Sequence, residues 1–467
     1  MRLLINVVIC FLCCNLSLAS DTYRAGVVSS IRSDPGRYVS YIKQAAKLNV
    51  DILVFPPPDE SSFETMTSVS DDYDEVVKTL SEATKQARLY VVAHLYETVR
   101  CQNVNMTIRS NLVFDREGSI ISEYRKPVNN ITNCTSVETD FGVFKTDFNV
   151  TFGLLMEEDL VLRSPEAFKG LKNFVMTGTW TTEIPYLSAS KFSSSWAFVN
   201  KANLVSPNGI SDDTHMLMSG GLKFTDLYKR VGEDMAFKVP VVHLRKQRIF
   251  LGKDLPHYVT KPMNLEASRD GYEETVCHDS FCCEFYIKTR FVGSKSIDAD
   301  YVLAAFRGTR YFGHGQHIGI ESCAVFTNSS QKCFCSTENE NNAIGLAFDK
   351  VTVVGNFTNG NSNYPIALST GEQFEAKQFS FVSEFAGNTE QVVVELKFIE
   401  SLTGFGIVSR DFSKDFVSVR DMESSYKNNF DIYDYIFHEN VLEFFDYVWI
   451  RLRILIFVVS IYILEMI

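Results

Sequence analysis

The sequence predicts an α/β domain followed by a smaller, disulfide-bonded, β-rich domain, and three observations carry that prediction. Strand-like and helix-like segments alternate over the first hundred residues, as an α/β chain requires. Past about residue 275 the text turns rich in β-type apolar runs and in cysteine. Six of the eight cysteines outside the N-terminal apolar stretch fall between 277 and 335, which concentrates cross-linking in the second half. At 467 residues the chain exceeds what one hydrophobic core usually supports, so two domains are expected.

Taken in order, Arg2 and the apolar stretch Leu3 to Leu18, with small residues at Ser17-Leu18-Ala19, read as a signal peptide over 1–19. A retained signal anchor is the alternative, and the stretch is short for it. RAGVVSS reads as a strand. In PGRYVSYIKQAAKLNV, Tyr38, Ile42, Ala45 and Ala46 share one helical face and Pro35 suits the first turn. DILVF is an apolar run too short for a helix, as a strand buried on both faces would be. In DEVVKTLSEATKQARL the face is Val76, Leu80, Ala83 and Ala87, and Asp71, Asp72 and Asp74 complement the dipole at its start. YVVAHLYE is a strand. SNLVFDREGSIISEYRK is a hairpin in which Gly118 takes φ > 0 and the second strand delivers Lys126 to its end. VTFGLLM and NFVMTGT are further strands, and Pro185 to Asn200, carrying Trp196, is a helix. CCEFYIKTRFV, DYVLAAF, KVTVVGNFT and QVVVELKFI supply the second, β-rich domain.

A formal net charge of -12 argues against a nucleic-acid partner, since a phosphate backbone demands clustered Lys and Arg. Secretion makes the eight cysteines disulfide candidates: Cys101, Cys134, Cys277, Cys282, Cys283, Cys323, Cys333 and Cys335. Their pairing is left open, with a bridge from Cys101 to Cys134 one option. Cys282-Cys283, Cys333-Phe334-Cys335 and His314-Gly315-Gln316-His317 have metal-like spacings. Thiolates compete poorly with oxidation here and the histidines lack a carboxylate at a useful offset, so neither metal nor cofactor is expected. Sequons at Asn105, Asn130, Asn133, Asn149, Asn328 and Asn356 predict surface positions open to glycosylation.

Ile454 to Ile467 is apolar but short for a membrane span, and lengthening it backwards would bury Arg451 and Arg453 at about 2.5 to 3.5 kcal/mol each. A removable lipid-anchor (GPI) signal fits better, with Ser424, Ser425, Asn428 or Asn429 as attachment candidates. A short transmembrane anchor and a buried terminal helix are the alternatives. The boundaries that follow are 1–19 for the signal, 20–245 for the α/β domain, 246–425 for the β-rich domain and 426–467 for the anchor signal.

The strand DILVFP, the hairpin ending YRK, FGLLMEEDLVLRSPEA and TGTWTTEIPYLSASKFSSSWAFVNKANLVSPNG together resemble the nitrilase, or carbon–nitrogen hydrolase, superfamily. VCHDSFCCEFYIKT and YVLAAFRGTRYFGHGQHIGIESC look like the second domain of its vanin and biotinidase branch, and an insect-type vanin-like protein would fit. The resemblance implies a nitrilase-like αββα sandwich. It also implies amidase chemistry: a cysteine thiolate attacks an amide carbonyl, a glutamate moves protons and a lysine stabilises the oxyanion. Only the lysine matches, at Lys126. Pro57 stands at the base position, where Asp59 or Glu60 could substitute only by a register shift through the stiff Pro56-Pro57-Pro58 run. Glu157 stands at the nucleophile position, and an ion pair between Glu157 and Lys126 is expected there. Ser193, Ser194 and Ser195 read as ordinary helix-surface serines. The expected function is that of a membrane-tethered, catalytically impaired ectodomain binding a pantetheine-like or biotinyl amide or a protein partner. Active hydrolysis of non-peptide amides is the alternative.

Overall fold

The computed structural model describes residues 22–28, 35–58, 69–101, 104–127, 140–178, 182–184, 189–207, 209–211, 222–229, 249–251, 257–292, 300–313, 316–327, 346–369, 378–400 and 402–417. The signal and anchor segments, Asp59, Glu60, Asn130, Asn133, Cys134, His314, Asn328, Cys333, Cys335, Ser424, Ser425, Asn428 and Asn429 lie outside them, as do the side chains of Cys101 and Asn105.

The first half contains β1 (Thr22–Val28), α1 (Pro35–Lys47), β2 (Ile52–Val54), α2 (Val69–Ala87), β3 (Tyr90–Cys101), β4 (Val104–Phe114) and β5 (Ile120–Pro127). There follow β6 (Gly142–Lys145), β7 (Thr151–Leu155), the one-turn helix α3 (Asp159–Leu162), β8 (Asn173–Met176), β9 (Thr182–Ile184), α4 (Ala189–Val199), β10 (Asn203–Ser206), β11 (Gly209–Ser211) and β12 (Leu222–Tyr228). Two sheets form, in the orders β12-β1-β2-β3-β4-β5 and β11-β10-β8-β7-β6. Period-2 alternation assigns each strand's residues to one layer or the other. Ile52 and Val54 of β2 join the core between the sheets, whereas Leu53 joins the layer under α1 and α2 with Tyr38, Ile42, Ala45, Val76 and Leu80. On the far side Phe174 of β8 meets Trp196 of α4 edge-on at 5.1 Å. Helix, sheet, sheet and helix thus stack as four layers.

Several local expectations hold. Gly118 has φ +79° at the hairpin turn, where Asp115 Oδ1 accepts the Glu117 and Ser119 amides at 2.9 Å each. Gly153 leaves room that a Cβ would take from Phe174, at 2.6 Å from its ring. Helix α2 starts at Val69, earlier than its apolar periodicity indicates. The expectation for Ser193, Ser194 and Ser195 fails: all three are buried. Helix α4 is covered on both sides, by Phe174 against Trp196 and by Tyr364 against Phe192 at 5.0 Å, so it has no free face for them.

The second half continues with β13 (Ile249–Leu251), β14 (Val259–Pro262), β15 (Tyr272–His278), β16 (Phe281–Phe291), β17 (Tyr301–Gly313), β18 (Gln316–Thr327), β19 (Leu346–Thr358), β20 (Ser362–Ser369), β21 (Phe379–Ala386), β22 (Thr389–Glu400) and β23 (Leu402–Val417). Apart from β13, which pairs with β9, these form two five-stranded sheets, β14-β17-β18-β23-β20 and β15-β16-β19-β22-β21. Their inward residues, among them Phe285, Ile287, Val325, Val353, Leu396 and Phe405, make one apolar core. Two disulfides occur among the described residues, Cys277–Cys282 and Cys283–Cys323. The described residues up to Thr309 and those of Gly319–Lys414 form one compact unit. In the other, which takes in the described residues 310–313, 316–318 and 415–417, the His317 ring stacks on Phe416 at 4.5 Å. Among the described residues no helix is long and apolar enough to cross a membrane.

Candidate functional site

Strand β7 runs out at Leu155, and the next residues, Met156, Glu157 and Glu158, turn directly into α3. Three acids in a row are thereby pressed against the inter-sheet faces of β4 and β5. The turn is fixed by Asp159, which is 1% exposed. Its Oδ2 accepts the Met156 amide at 2.7 Å, and its Oδ1 accepts Lys126 Nζ at 2.8 Å, the Tyr124 hydroxyl at 3.0 Å and Arg163 Nε at 3.0 Å. A buried carboxylate held by so many donors is a structural anchor.

Facing it, Arg109 of β4 and Lys126 of β5 are directly opposed in the antiparallel register. Two cations so placed would repel unless an anion lies between them. Glu158 supplies it, with Oε1 accepting Arg109 Nη2 at 2.6 Å and Lys126 Nζ at 3.1 Å. Burial pushes the Glu158 carboxyl upward, but Arg109 and Lys126 outweigh it and hold the group well below the usual range, at about 2. Lys126 is likewise kept charged: burial disfavours its ammonium, and the carboxylates of Glu158 and Asp159 more than compensate.

Glu157 is the member left short. Its Oε1 accepts Arg109 Nη1 at 3.1 Å, while Oε2 is buried with no hydrogen-bond partner among the described residues. Oε2 lies against Gly178, where a Cβ would overlap the carboxylate, so glycine is required there for this side chain to fit. Burial first and the neighbouring Glu158 charge second raise the Glu157 carboxyl to about 7, against the opposing pull of Arg109. The expected Glu157–Lys126 ion pair is therefore corrected: Glu157 is paired with Arg109, and Lys126 with Glu158 and Asp159. The reason is register, since Arg109 opposite Lys126 reaches Glu157 while the lysine is drawn to the anchoring aspartate.

A second polar chain adjoins this cluster. Asn111 Nδ2 donates to the Leu155 carbonyl at 3.0 Å, Thr177 Oγ1 donates to Asn111 Oδ1 at 2.6 Å, and His94 Nδ1 lies 3.0 Å from Thr177 Oγ1. Because the threonine proton is already used, His94 Nδ1 is the donor and Nε2 is bare. Burial first, and then Arg109, push the His94 imidazole down to about 3, so it is neutral. His94 Nε2 and Arg109 Nε are buried without partners among the described residues, like Glu157 Oε2.

The structure thus brings Lys126 and Glu157 into one cluster, joined through Arg109 and Glu158. Pro57 follows β2, half-buried, with no titratable group to contribute. Sequence reasoning missed Arg109, although its period-2 spacing with Asn111 and Val113, on the face that buries Val113 between the sheets, was a readable signal. It also missed Arg410, which is 1% exposed on β23 and donates to the Val161 carbonyl of α3 at 2.8 Å. Of the sequon asparagines, Asn149 is exposed in a turn with φ +60° and Asn356 is exposed on β19. No group of three or more potential metal ligands occurs among the described residues.

The chain thus carries one four-layered α/β core and, after it in sequence, one two-sheeted β core, with a polar cluster after β7. Residues 250–415 match the Vanin C-terminal domain. Vanin-like protein 1 of Drosophila melanogaster is 26% identical over 385 residues, covering 66% of this chain and 69% of the relative. Vanin-like protein 3 of the same organism is 25% identical over 424 residues, covering 74% and 78%. This chain thus carries a Vanin C-terminal domain and is similar to vanin-like proteins over about two thirds or more of its length. Among solved structures, an amidase from Nesterenkonia sp. is 14% identical, with 44% of this chain and 90% of that chain covered and a TM-score of 0.31. A carbon–nitrogen hydrolase from Helicobacter pylori G27 is 17% identical, with 40% and 73% covered and a TM-score of 0.32. Superpositions this partial carry no argument about the reaction.

Proposed function

We propose that this protein is an extracellular, membrane-tethered and glycosylated vanin-like ectodomain. In this reading an ion-pair network fills its amidase centre, and it binds a small amide or a protein partner without hydrolysing it. The observation that carries the reading is the state of Glu157, a carboxylate clamped by Arg109 at the position where the family's resemblance calls for a thiolate. A carboxylate is a weak nucleophile toward amides, Pro57 cannot move a proton, and Lys126 is already neutralised by two carboxylates. Loss of a nucleophile alone costs on the order of 10⁶ in kcat where it has been measured.

A second reading, an active amidohydrolase, is favoured by one feature. The free Oε2 of Glu157, on a carboxyl raised to about 7, suits proton transfer near neutrality. Hydrolysis of pantetheine and of biotinyl amides by the purified protein separates the two. Silence of the wild type, with activity gained by a Glu157→Cys, Pro57→Glu variant, supports a disabled centre. Turnover by the wild type that is lost in Glu157→Gln sinks the binding-only reading.

A further inference from the structure

Cys282 and Cys283 are neighbours on β16, yet their two disulfides differ in the properties that govern sulfur exchange. Cys283–Cys323 joins β16 of one sheet to β18 of the other through the apolar core, and both cysteines are 0% exposed. Cys277–Cys282 joins directly opposed residues of the β15–β16 hairpin, and β15 is the edge strand of its sheet. Cys277 is exposed and Cys282 half-buried. Successive strand residues face opposite sides, so the Cys282 sulfur points away from the buried bond beside it. Exchange requires an attacking thiolate to reach a sulfur, and exposed disulfides are the exchangeable ones.

The hairpin does not depend on its disulfide. Paired residues continue from Tyr272 opposite Ile287 to His278 opposite Phe281, at the closed end of the hairpin. That end is docked by contacts without sulfur. The Arg307 amide donates to His278 Nδ1 at 3.1 Å, Arg307 Nη1 reaches Ser280 Oγ at 3.5 Å, and the guanidinium lies 4.9 Å from the centroid of the Phe281 ring. Opening the bond would leave the strands paired and the turn in place.

We propose that Cys277–Cys282 is a thiol-exchange site that takes up a small-molecule thiol, while Cys283–Cys323 serves only the fold. The thiolate of the small molecule attacks Cys277 Sγ and forms a new sulfur–sulfur bond. The Cys277–Cys282 bond breaks, and its electron pair leaves on Cys282, which takes a proton from water. A second molecule of thiol then attacks the mixed disulfide, releasing the small-molecule disulfide and leaving the protein with two thiols. Two thiols are oxidised and one protein disulfide is reduced.

The test exposes the folded wild-type protein to graded reduced glutathione, quenches with an alkylating agent and maps each cysteine by peptide mass spectrometry. Expected are a glutathionyl adduct on Cys277 and alkylation of Cys282, at a rate roughly tenfold or more above any opening of Cys283–Cys323. Opening of both bridges at one rate, or of neither until the fold melts, overturns the proposal. A Cys277→Ser, Cys282→Ser double variant should keep a cooperative thermal transition and leave Cys283–Cys323 closed under the same conditions. Glutathionylation of Cys283 or Cys323 in the folded variant also overturns the assignment.

Discussion

Two glutamates, one in each half of the chain, show what separates a structural carboxylate from a poised one. Glu321 of β18 is 0% exposed, and both its oxygens are satisfied. Arg307 Nε at 2.7 Å and the Thr358 hydroxyl at 2.7 Å donate to Oε1, while the Thr358 amide at 2.8 Å and Asn361 Nδ2 at 3.2 Å donate to Oε2. Glu157 has one oxygen on Arg109 and the other on no hydrogen-bond partner among the described residues. The Glu157 side chain is 20% exposed where Glu321 is fully enclosed, and the two differ further in the supply of donors. An oxygen left unpaired in a low-dielectric site raises the cost of its charge, and the charge becomes conditional on pH.

The largest effect should come from breaking the satisfied member. Glu321→Ala strips the acceptor from four donors and should lower unfolding free energy by about 3 to 5 kcal/mol in a urea titration. A loss near zero would mean that the partners rebond to water. Next, Arg109→Met removes the cation shared by Glu157 and Glu158. We expect a loss of about 3 kcal/mol at pH 8, shrinking toward pH 5 as the stranded carboxylates protonate.

Glu157 itself gives a smaller, signed effect. Its folded-state pKa, about 7, lies above the ordinary value of 4.5, so the folded state holds the proton more tightly than the unfolded chain does. Stability from this group is therefore greatest below pH 4.5 and is lost as pH rises through 7. Glu158 acts oppositely: its depressed pKa contributes stability above 4.5 that is lost as pH falls toward 2. Glu157→Gln should flatten the upper limb and stabilise the protein at pH 8 by about 2 kcal/mol, read from melting curves at several pH values. An unchanged pH profile would show that Arg109 alone keeps the carboxylate charged. The smallest effect belongs to the disulfides' weaker member. Closing the short loop of Cys277–Cys282 should contribute about 2 kcal/mol against about 4 for the longer loop of Cys283–Cys323, by denaturation of the paired serine variants.

Much of the first half of the chain could be read directly. Helix α1 has its predicted apolar face and the 115–118 turn its predicted glycine, because 3.6-residue and turn signals are local. In the β-rich half, β16, β17, β19 and β22 fall on the apolar runs named from sequence, whereas other strands were not legible. β18 and β23 carry nearly unbroken burial with charged residues inside, so alternation gives no clear signal there. Serine 193 to 195 were misplaced because their burial is set by Tyr364, far along the chain, packing on Phe192.

At the site the division is sharper still. Read from sequence alone, Pro57 offers no proton carrier, Glu157 offers a carboxylate and Lys126 a cation, because the chemistry of a side chain needs no coordinates. Which cation each acid holds is set by the fold. That follows from the register that sets Arg109 opposite Lys126 across β4 and β5, and from the Asp159 anchor that fixes the turn after β7. Coulomb attraction falls with distance and strengthens with burial, and both are set by residues remote in sequence.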